Sequence, residues 1–467
     1  MPQPTPARPD RAIPPARDRG DACPGALRLH AADDGALARV RVPAGVLTTR
    51  QALALAEVSE ELGDGHLGLT SRGNVQLRGL DERDAGQLAA VLEDSGLLPS
   101  PRHERVRNVV ASPLSGLDGA GSADVLCWAA RLDELLCASE AAAGLSGRFL
   151  FALDDGRGDV ASLGADVTLI ALPGSQGAAL RVGAGAEAVR VPAGEAAGAA
   201  LLAAEMFLTA ARECGEGVWR VRELPDGREV SARQVAAALG RSGVAARRMP
   251  GSWLPAPAGT SPGPAPGVVE GGTGDGGANH DGAGGGSGSG RESLCAVSVL
   301  APLGRLTSRQ WRLLAQHARS HGRGELRVTP WRGVVLPAVP RPLAAGSLQR
   351  LEQAGLITHE GSPWLGVGAC TGLPGCARAH RDVRGDAAAT VGDRAPHGRA
   401  PLGLLPVYWS GCERRCGRPQ GDRVDVVASK DGYTVAVQAE GSTGNRAVPD
   451  GELAHAVASA RAERETR

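Results

Sequence analysis

Four cysteines near the C-terminus stand in two close pairs. Cys370 and Cys376 bracket Thr371-Gly372-Leu373-Pro374-Gly375, and Cys412 and Cys416 bracket Glu413-Arg414-Arg415. The spacing is C-x5-C, a gap of 35 residues, then C-x3-C. Thiolates are soft ligands, and four in this pattern make a cage for zinc or for an iron–sulfur cluster. Zinc knuckles usually close over two to four residues. The wider loop with its glycines and proline suits a cubane, whose sulfides accept hydrogen bonds from loop N–H groups. Without a metal, the same residues would be buried thiols or two disulfides, which this spacing disfavours. The remaining cysteines, Cys23, Cys127, Cys137, Cys214 and Cys295, have no ligand spacing. Cys127 and Cys137 fall in an apolar helical pattern and are expected as small core residues.

The chain around them has 467 residues, 42% of them hydrophobic, which allows several domains with real cores. Lys+Arg and Asp+Glu both number 51, so no net charge draws the protein to nucleic acid. Lys430 is the only lysine. No run of apolar residues is long enough to predict a membrane span. The Pro- and Arg-rich start lacks the apolar stretch of a secretory signal, and cysteines without a signal fit a reducing compartment, so a cytoplasmic location is expected.

The elements that position the cysteines recur. Gly35–Pro43 alternates like a strand, Gln51–Leu62 is helical behind Thr48 and Thr49, His66–Thr70 and Arg72–Arg78 read as strands, and Asp84–Ser95 as a second helix. This is a β-α-β-β-α half-domain of the ferredoxin-like kind. Leu306-Thr307-Ser308-Arg309-Gln310 then repeats Leu47-Thr48-Thr49-Arg50-Gln51 at an offset of 259, and Gly324 and Thr329 match Gly65 and Thr70. Arg332-Gly333 matches Arg72-Gly73 one residue late, and Ala111-Ser112 lies opposite Cys370-Thr371. The chain is therefore read as a tandem duplication in which only the second copy carries the four cysteines. The predicted organisation is a disordered tail at 1–20, half-domain 1 at 21–100, an α/β domain at 101–254, a flexible Gly/Pro/Ser linker at 255–292, half-domain 2 at 293–360, and a second α/β domain at 361–467. The fold class is α+β with pseudo-two-fold symmetry. In the first α/β domain Ala123–Ala143 reads as a helix, Arg148–Leu153 and Val167–Leu172 as strands, and Glu195–Glu213 as a helix. In the second, Leu402–Trp409 reads as a strand, Val424–Ala428 and Tyr433–Gln438 as a hairpin, and Glu452–Glu463 as the closing helix.

The cysteine pattern, the duplicated half-domain, Thr70-Ser71-Arg72-Gly73-Asn74-Val75-Gln76, Thr329-Pro330-Trp331-Arg332-Gly333 and Arg107-Asn108 together resemble the sulfite/nitrite reductase superfamily. The resemblance implies a [4Fe–4S] cluster on Cys370, Cys376, Cys412 and Cys416, in members that usually couple it to sirohaem, at a crevice between the repeats. Sirohaem reductases carry a lysine-rich strand near Gly147–Asp159. Here that stretch has Arg148, no lysine, and the acidic string Asp154-Asp155-Gly156-Arg157-Gly158-Asp159. With Cys23-Pro24-Gly25 it is similar to the branch of the superfamily that serves aerobic cobalamin synthesis. That branch uses dioxygen to hydroxylate precorrin-3A at C20 with closure of a γ-lactone.

The implied substrate is a polycarboxylate, and arginine binds carboxylates with a planar fork. Arg72, Arg107, Arg148 and Arg332, with Gln76 and Asn108, are the expected substrate-binding residues. Each taken alone reads as a solvated surface group. Asp154 and Asp155 read either as turn caps or as pocket groups, and His380 as a proton shuttle, an iron ligand or a surface residue. No catalytic residue is assigned. The chain has no Gly-x-Gly-x-x-Gly behind a strand, so a separate reductase delivering NADH-derived electrons is implied. A further iron for oxygen activation is implied but not located. The alternatives are a sirohaem-dependent sulfite or nitrite reductase, and a non-catalytic iron–sulfur redox sensor or tetrapyrrole-binding protein.

Overall fold

The computed structural model describes residues 21, 23–174, 177–215, 217–254, 263–271, 293–392, 403–419, 421–439 and 445–462. The expected tail at 1–20 lies outside them, as do 255–262 and 272–292 of the expected linker. The chain forms two compact units. One comprises Pro99–Gly116 and Gly121–Ser261 with the N-terminal residues through Cys23; the other comprises Pro24–Leu98, Leu117–Ala120 and Pro262–Arg467.

The second unit holds both ferredoxin-like half-domains, and their register follows the 259-residue offset. Thr48 and Gln51 form a capping box on the helix Thr49–Glu61, and Thr307 and Gln310 form the same box on Ser308–His321. Thr49 N donates to Gly324 O at 2.8 Å and Ser308 N donates to Gly65 O at 3.0 Å, a reciprocal pair across the duplication. Each half gives a three-residue strand to the other half's sheet. Arg305–Thr307 pairs antiparallel with His66–Leu69, and Val46–Thr48 pairs antiparallel with Glu325–Val328. The two helices pack against one another over a single core that mixes residues of both copies, among them Leu47, Leu55, Leu306, Trp311 and Leu314. Part of the expected tether is structured: Gly267–Glu270 is an edge strand on Leu294–Leu300. Its Val268-Val269 pair has the β-branched character of a strand, which the surrounding Gly- and Pro-rich composition obscured.

The same unit carries a five-stranded sheet in the order Val367–Ala369, Val407–Ser410, Arg423–Ser429, Gly432–Gln438, Asn445–Val448. Its first two pairings are parallel and its last two antiparallel. The other unit has a sheet of the same design: Val109–Ala111, Phe151–Asp154 and Val167–Ala171 pair in parallel, followed by the antiparallel strands Gly177–Val182, Glu187–Pro192 and Arg247–Pro250. The duplication thus extends beyond the half-domains.

Two expectations need correction here. Cys127 is exposed on the helix Leu126–Ala138, with its thiol directed at Asp124 O, and Cys137 is only half-buried. The helix Ala196–Glu213 belongs to a segment, Ala193–Glu213, that is long and apolar enough to cross a membrane. Its face of Ala196, Ala200, Ala203, Ala204 and Phe207 is buried in the core of its own unit, which accounts for the apolar composition.

Candidate metal centre

Both cysteine pairs lie at the carboxyl ends of adjacent parallel strands. Cys370 follows Ala369 directly, and Cys412 lies two residues beyond Ser410, with Ala369 and Trp409 in register. Loops at this end of parallel strands converge in space, which makes it the usual ligand edge of such a sheet. Cys370 N donates to Trp409 O at 2.9 Å, and Gly411 N donates to Cys370 Sγ at 3.1 Å. The Tyr408 hydroxyl donates to Cys416 O at 2.7 Å. Cys370, Cys376 and Cys412 are half-buried and Cys416 is exposed.

Four cysteine thiols on two converging loops, with the Gly411 N–H aimed at Cys370 Sγ, form a donor set that fits an iron–sulfur cluster.

Around Cys370 the charge is positive. Arg384 Nε donates to Cys370 O at 3.1 Å. Burial pushes the Arg384 guanidinium below its ordinary pKa, and the charges of Arg305 and Arg78 add to this. Arg332 reaches the same place from the other side. Its guanidinium lies 6.0 Å from the Tyr408 ring centroid, and a Cβ on Gly368 or Gly417 would stand 3.4 Å or 3.8 Å from it. Burial raises the Tyr408 hydroxyl pKa, and Arg332 partly offsets the rise. Among the described residues no carboxylate pairs with Arg332 or Arg384.

The backbone at Arg332 corrects the sequence alignment. Gly73 N donates to Thr70 O and Arg332 N donates to Thr329 O, both at 3.1 Å, so Arg332 occupies the place of Gly73 and Trp331 that of Arg72. The offset of 259 holds without the one-residue slip. Arg332 has φ 60° where Gly73 has φ 65°, a conformation that costs a non-glycine residue about 1 kcal/mol. Arg332 lies on the turn between Glu325–Val328 and Gly333–Pro340, and a strained non-glycine backbone there is the kind of outlier that functional sites hold in place.

The other expected residues are spread over both units. Arg72 is half-buried on the turn before Val75–Leu80, and Gln76, on that strand, accepts from Arg39 at 3.4 Å. Arg107 is not an open fork: it is bidentate to Asp133 at 2.7 and 2.6 Å and only 5% exposed. Asn108 is buried and donates to Phe149 O at 2.9 Å. Both are internal braces of the first unit, because a buried guanidinium and amide must be satisfied within the core. Arg148 is exposed and stacks on Trp219 at 4.7 Å. His380 is exposed beside the loop, its N–H donating to Gly411 O at 2.9 Å. Arg384 was missed. Its one sequence signal is the three-residue spacing of Arg378, Arg381 and Arg384 after Cys376.

In the other unit the corresponding strand ends carry oxygen in place of sulfur. Ser112 N donates to Leu153 O at 3.1 Å, as Cys370 N does to Trp409 O, and Asp155 N donates to Ser112 Oγ at 3.1 Å, as Gly411 N does to Cys370 Sγ. Ser112, not Ala111, is the counterpart of Cys370. Asp154, Asp155 and Asp159 cluster there, and their oxygens are engaged. Asp154 accepts from the backbone of Gly156, Gly158, Val160 and Ala161 at 2.8–3.1 Å, Asp155 holds Arg157 at 2.7 Å, and Asp159 accepts from Ser112 Oγ at 2.6 Å. Burial, reinforced by Asp154 and Asp155 and opposed by the Ser112 hydrogen bond, raises the Asp159 pKa to about 6. An acid whose pKa is higher folded than unfolded stabilises below its unfolded value and loses that contribution as pH rises through the folded one. The rise from 3.8 to about 6 corresponds to roughly 3 kcal/mol. Asp159→Asn is therefore expected to lose less stability than wild type between about pH 4 and about pH 7, measured by urea unfolding at both values.

The model of the nitrite/sulfite reductase ferredoxin-like half domain matches residues 30–95 and 289–354. The chain thus carries this half domain twice, and the two copies form the antiparallel sheets that exchange strands in its second unit. Among individual relatives, a precorrin-3B synthase from Sinorhizobium sp is 25% identical over 421 residues, covering 90% of this chain and 83% of the relative. A ferredoxin–nitrite reductase from Synechococcus elongatus is 27% identical over 413 residues, covering 84% and 76%. The solved structure of the Mycobacterium tuberculosis NirA protein superposes with a TM-score of 0.62 at 18% identity, covering 90% of this chain and 79% of that one, a likeness of fold.

Proposed function

We propose that the chain is an iron–sulfur oxidoreductase acting on a tetrapyrrole, and within that class a precorrin-3B synthase, hydroxylating C20 of precorrin-3A with dioxygen as a ring acetate closes a γ-lactone. The likeness to the Sinorhizobium enzyme over most of both chains supports this reading. The observation that carries it is Arg332, held left-handed beside Gly368, Tyr408 and Gly417 at the cysteine-bearing strand ends, with no carboxylate partner among the described residues. A guanidinium so placed is available to a carboxylate of a bound macrocycle. Arg384 adds a second half-buried cation, and Arg72 and Gln76 extend the set. A [4Fe–4S] cluster on Cys370, Cys376, Cys412 and Cys416 supplies single electrons when bound. The protein's own groups then bind and orient. Arg332 and Arg384 attract acetate and propionate arms, Tyr408 holds the Cys416 loop, and Gly304, where a Cβ would stand 2.4 Å from Arg332 Cδ, leaves room for the Arg332 side chain.

The second reading is a sirohaem-dependent nitrite reductase, favoured by the Synechococcus elongatus relative. Against it stands the lysine content: the one lysine, Lys430, is exposed on the turn between Arg423–Ser429 and Gly432–Gln438, so no ammonium group is available to a small anion at the cysteine loops. Ultraviolet–visible and EPR spectra of anaerobically purified protein decide between them. Cluster signals without sirohaem, together with incorporation of isotopically labelled dioxygen into precorrin-3A in the presence of an electron donor, support the first reading; bound sirohaem overturns it. Arg332→Gly sharpens the test. Its stability is expected to stay within about 1 kcal/mol of wild type, because glycine relieves the left-handed strain, while KM for the tetrapyrrole rises at least about tenfold through loss of a charge-assisted hydrogen bond.

A further inference from the structure

The loop between Cys370 and Cys376 is held from the first ferredoxin-like half-domain, which supplies none of the four ligand cysteines. Asp33 and Asp34 form the two-residue turn between the strands His30–Ala32 and Gly35–Val40. Arg78, on the neighbouring strand Val75–Leu80, is bidentate to Asp34 at 2.9 and 2.6 Å. The same guanidinium donates to Gly375 O at 2.9 Å. Asp33 accepts from the Ala377 backbone N–H. The contact is close on the loop side as well: a Cβ on Gly375 would overlap the Asp34 carboxylate and the Thr371 methyl. Arg78 is 11% exposed and Asp34 23%, so water competes weakly for the bidentate pair. The residues on both sides of Cys376 are thus fixed by side chains some three hundred positions away in sequence.

We propose that Arg78, Asp34 and Asp33 are positioning residues for the metal centre. They clamp the C-x5-C loop, and the Arg78 charge raises the reduction potential of whatever cluster the loop holds. This rests on the ligand assignment made above. Reduction adds negative charge to the centre, and nearby cations and hydrogen bonds to the sulfurs favour the reduced form. Removing Arg78 deletes a cation that lies near enough to Arg384 to depress its pKa and leaves the Asp34 carboxylate uncompensated beside the loop. Fixing the loop also slows ligand dissociation, because a thiolate that leaves the metal stays in place to return.

The test uses the full chain purified anaerobically, as wild type, Arg78→Met, Arg78→Lys and Asp33→Asn. Three quantities are read: backbone hydrogen exchange across residues 371–379, release of iron to a chelator, and the cluster midpoint potential by spectroelectrochemistry. In Arg78→Met, exchange at Ala377 and its neighbours and the rate of iron release are each expected to rise about tenfold. The reduced-to-oxidised ratio at fixed poise is expected to fall about tenfold, which for a one-electron couple is ~59 mV. Arg78→Lys keeps the charge but not the fork, so its potential returns towards wild type while its exchange stays fast. Asp33→Asn changes an exposed turn residue and is expected to speed exchange at Ala377 alone; it decides the matter if Arg78→Met does not fold. Iron-loaded variants with wild-type exchange and potential overturn the proposal. If wild-type protein contains no iron–sulfur centre, the ligand assignment fails, and the exchange measurement alone then decides whether the clamp exists.

Discussion

Cys370→Ser is expected to yield a folded protein without its iron–sulfur signal. The reason lies in the duplication. At the corresponding strand end of the other unit stands Ser112, whose hydroxyl accepts the Asp155 N–H at 3.1 Å, as Cys370 Sγ accepts the Gly411 N–H at 3.1 Å. The substitution therefore recreates an arrangement the fold already contains, and the local hydrogen bonds survive. The metal does not. A serine oxygen is a hard ligand that stays protonated near neutral pH, whereas iron in a cluster is held by thiolate. Iron and acid-labile sulfide are expected to fall to background, and the EPR signal of the reduced protein to vanish. Stability, compared with wild-type protein stripped of its metal, is expected to change by no more than about 0.5 kcal/mol. Cys416→Ser is expected to lose the cluster in the same way. A variant at either position that keeps a full cubane would refute the ligand assignment.

Much of this was legible in the chain. The Leu-Thr-x-Arg-Gln repeat is where both capping boxes form, with Thr48, one of two expected caps, at the first, because a threonine three residues before a glutamine is a local signal that needs no tertiary context. The strand expected at Leu402–Trp409 put the Cys412–Cys416 loop at a strand end, where the structure has Val407–Ser410; the three-residue strand Val367–Ala369 before Cys370 was too short to read. What local pattern does not carry is the identity of a pairing partner. Val46–Thr48 and Arg305–Thr307 are three-residue strands that satisfy their backbone groups on the opposite copy, and nothing in so short a run says which sheet will take it. The same limit applies to charge. Arg107 and Arg332 both read as candidate carboxylate binders. Only the fold shows that one faces Asp133 across the core and the other faces the cysteine loops. Matching the Arg-Gly pair by identity puts Arg332 one residue out of register, because the left-handed backbone that Arg332 shares with Gly73 leaves no mark in residue type.

Trp311→Ala is expected to be the most damaging single substitution outside the metal loops. Trp311 is fully buried, and its indole N–H donates to Ala52 O at 2.7 Å. The offset between these two residues is 259, so Trp311 sits directly on its own counterpart. Residues that touch their symmetry mates lie at the pseudo-two-fold axis, where two identical large side chains would collide and two small ones would leave a hole. One tryptophan facing one alanine fills the space once. Next to it, the Ser59 and Ser308 hydroxyls share a hydrogen bond of 2.6 Å between the same two helices. Truncation empties the centre of the interface between the half-domains, and removal of a buried aromatic of this size costs about 3–5 kcal/mol. Because the exchanged strands Val46–Thr48 and Arg305–Thr307 flank these helices, the loss is expected to lower the urea midpoint of the whole second unit in one transition rather than fray a single helix. The exchange Ala52→Trp with Trp311→Ala carries the indole to the other side of the axis. It is expected to recover more than half of the lost stability, since the surrounding backbone repeats about that axis. If the double variant is no more stable than Trp311→Ala alone, the packing at the axis depends on side chains that the two copies do not share.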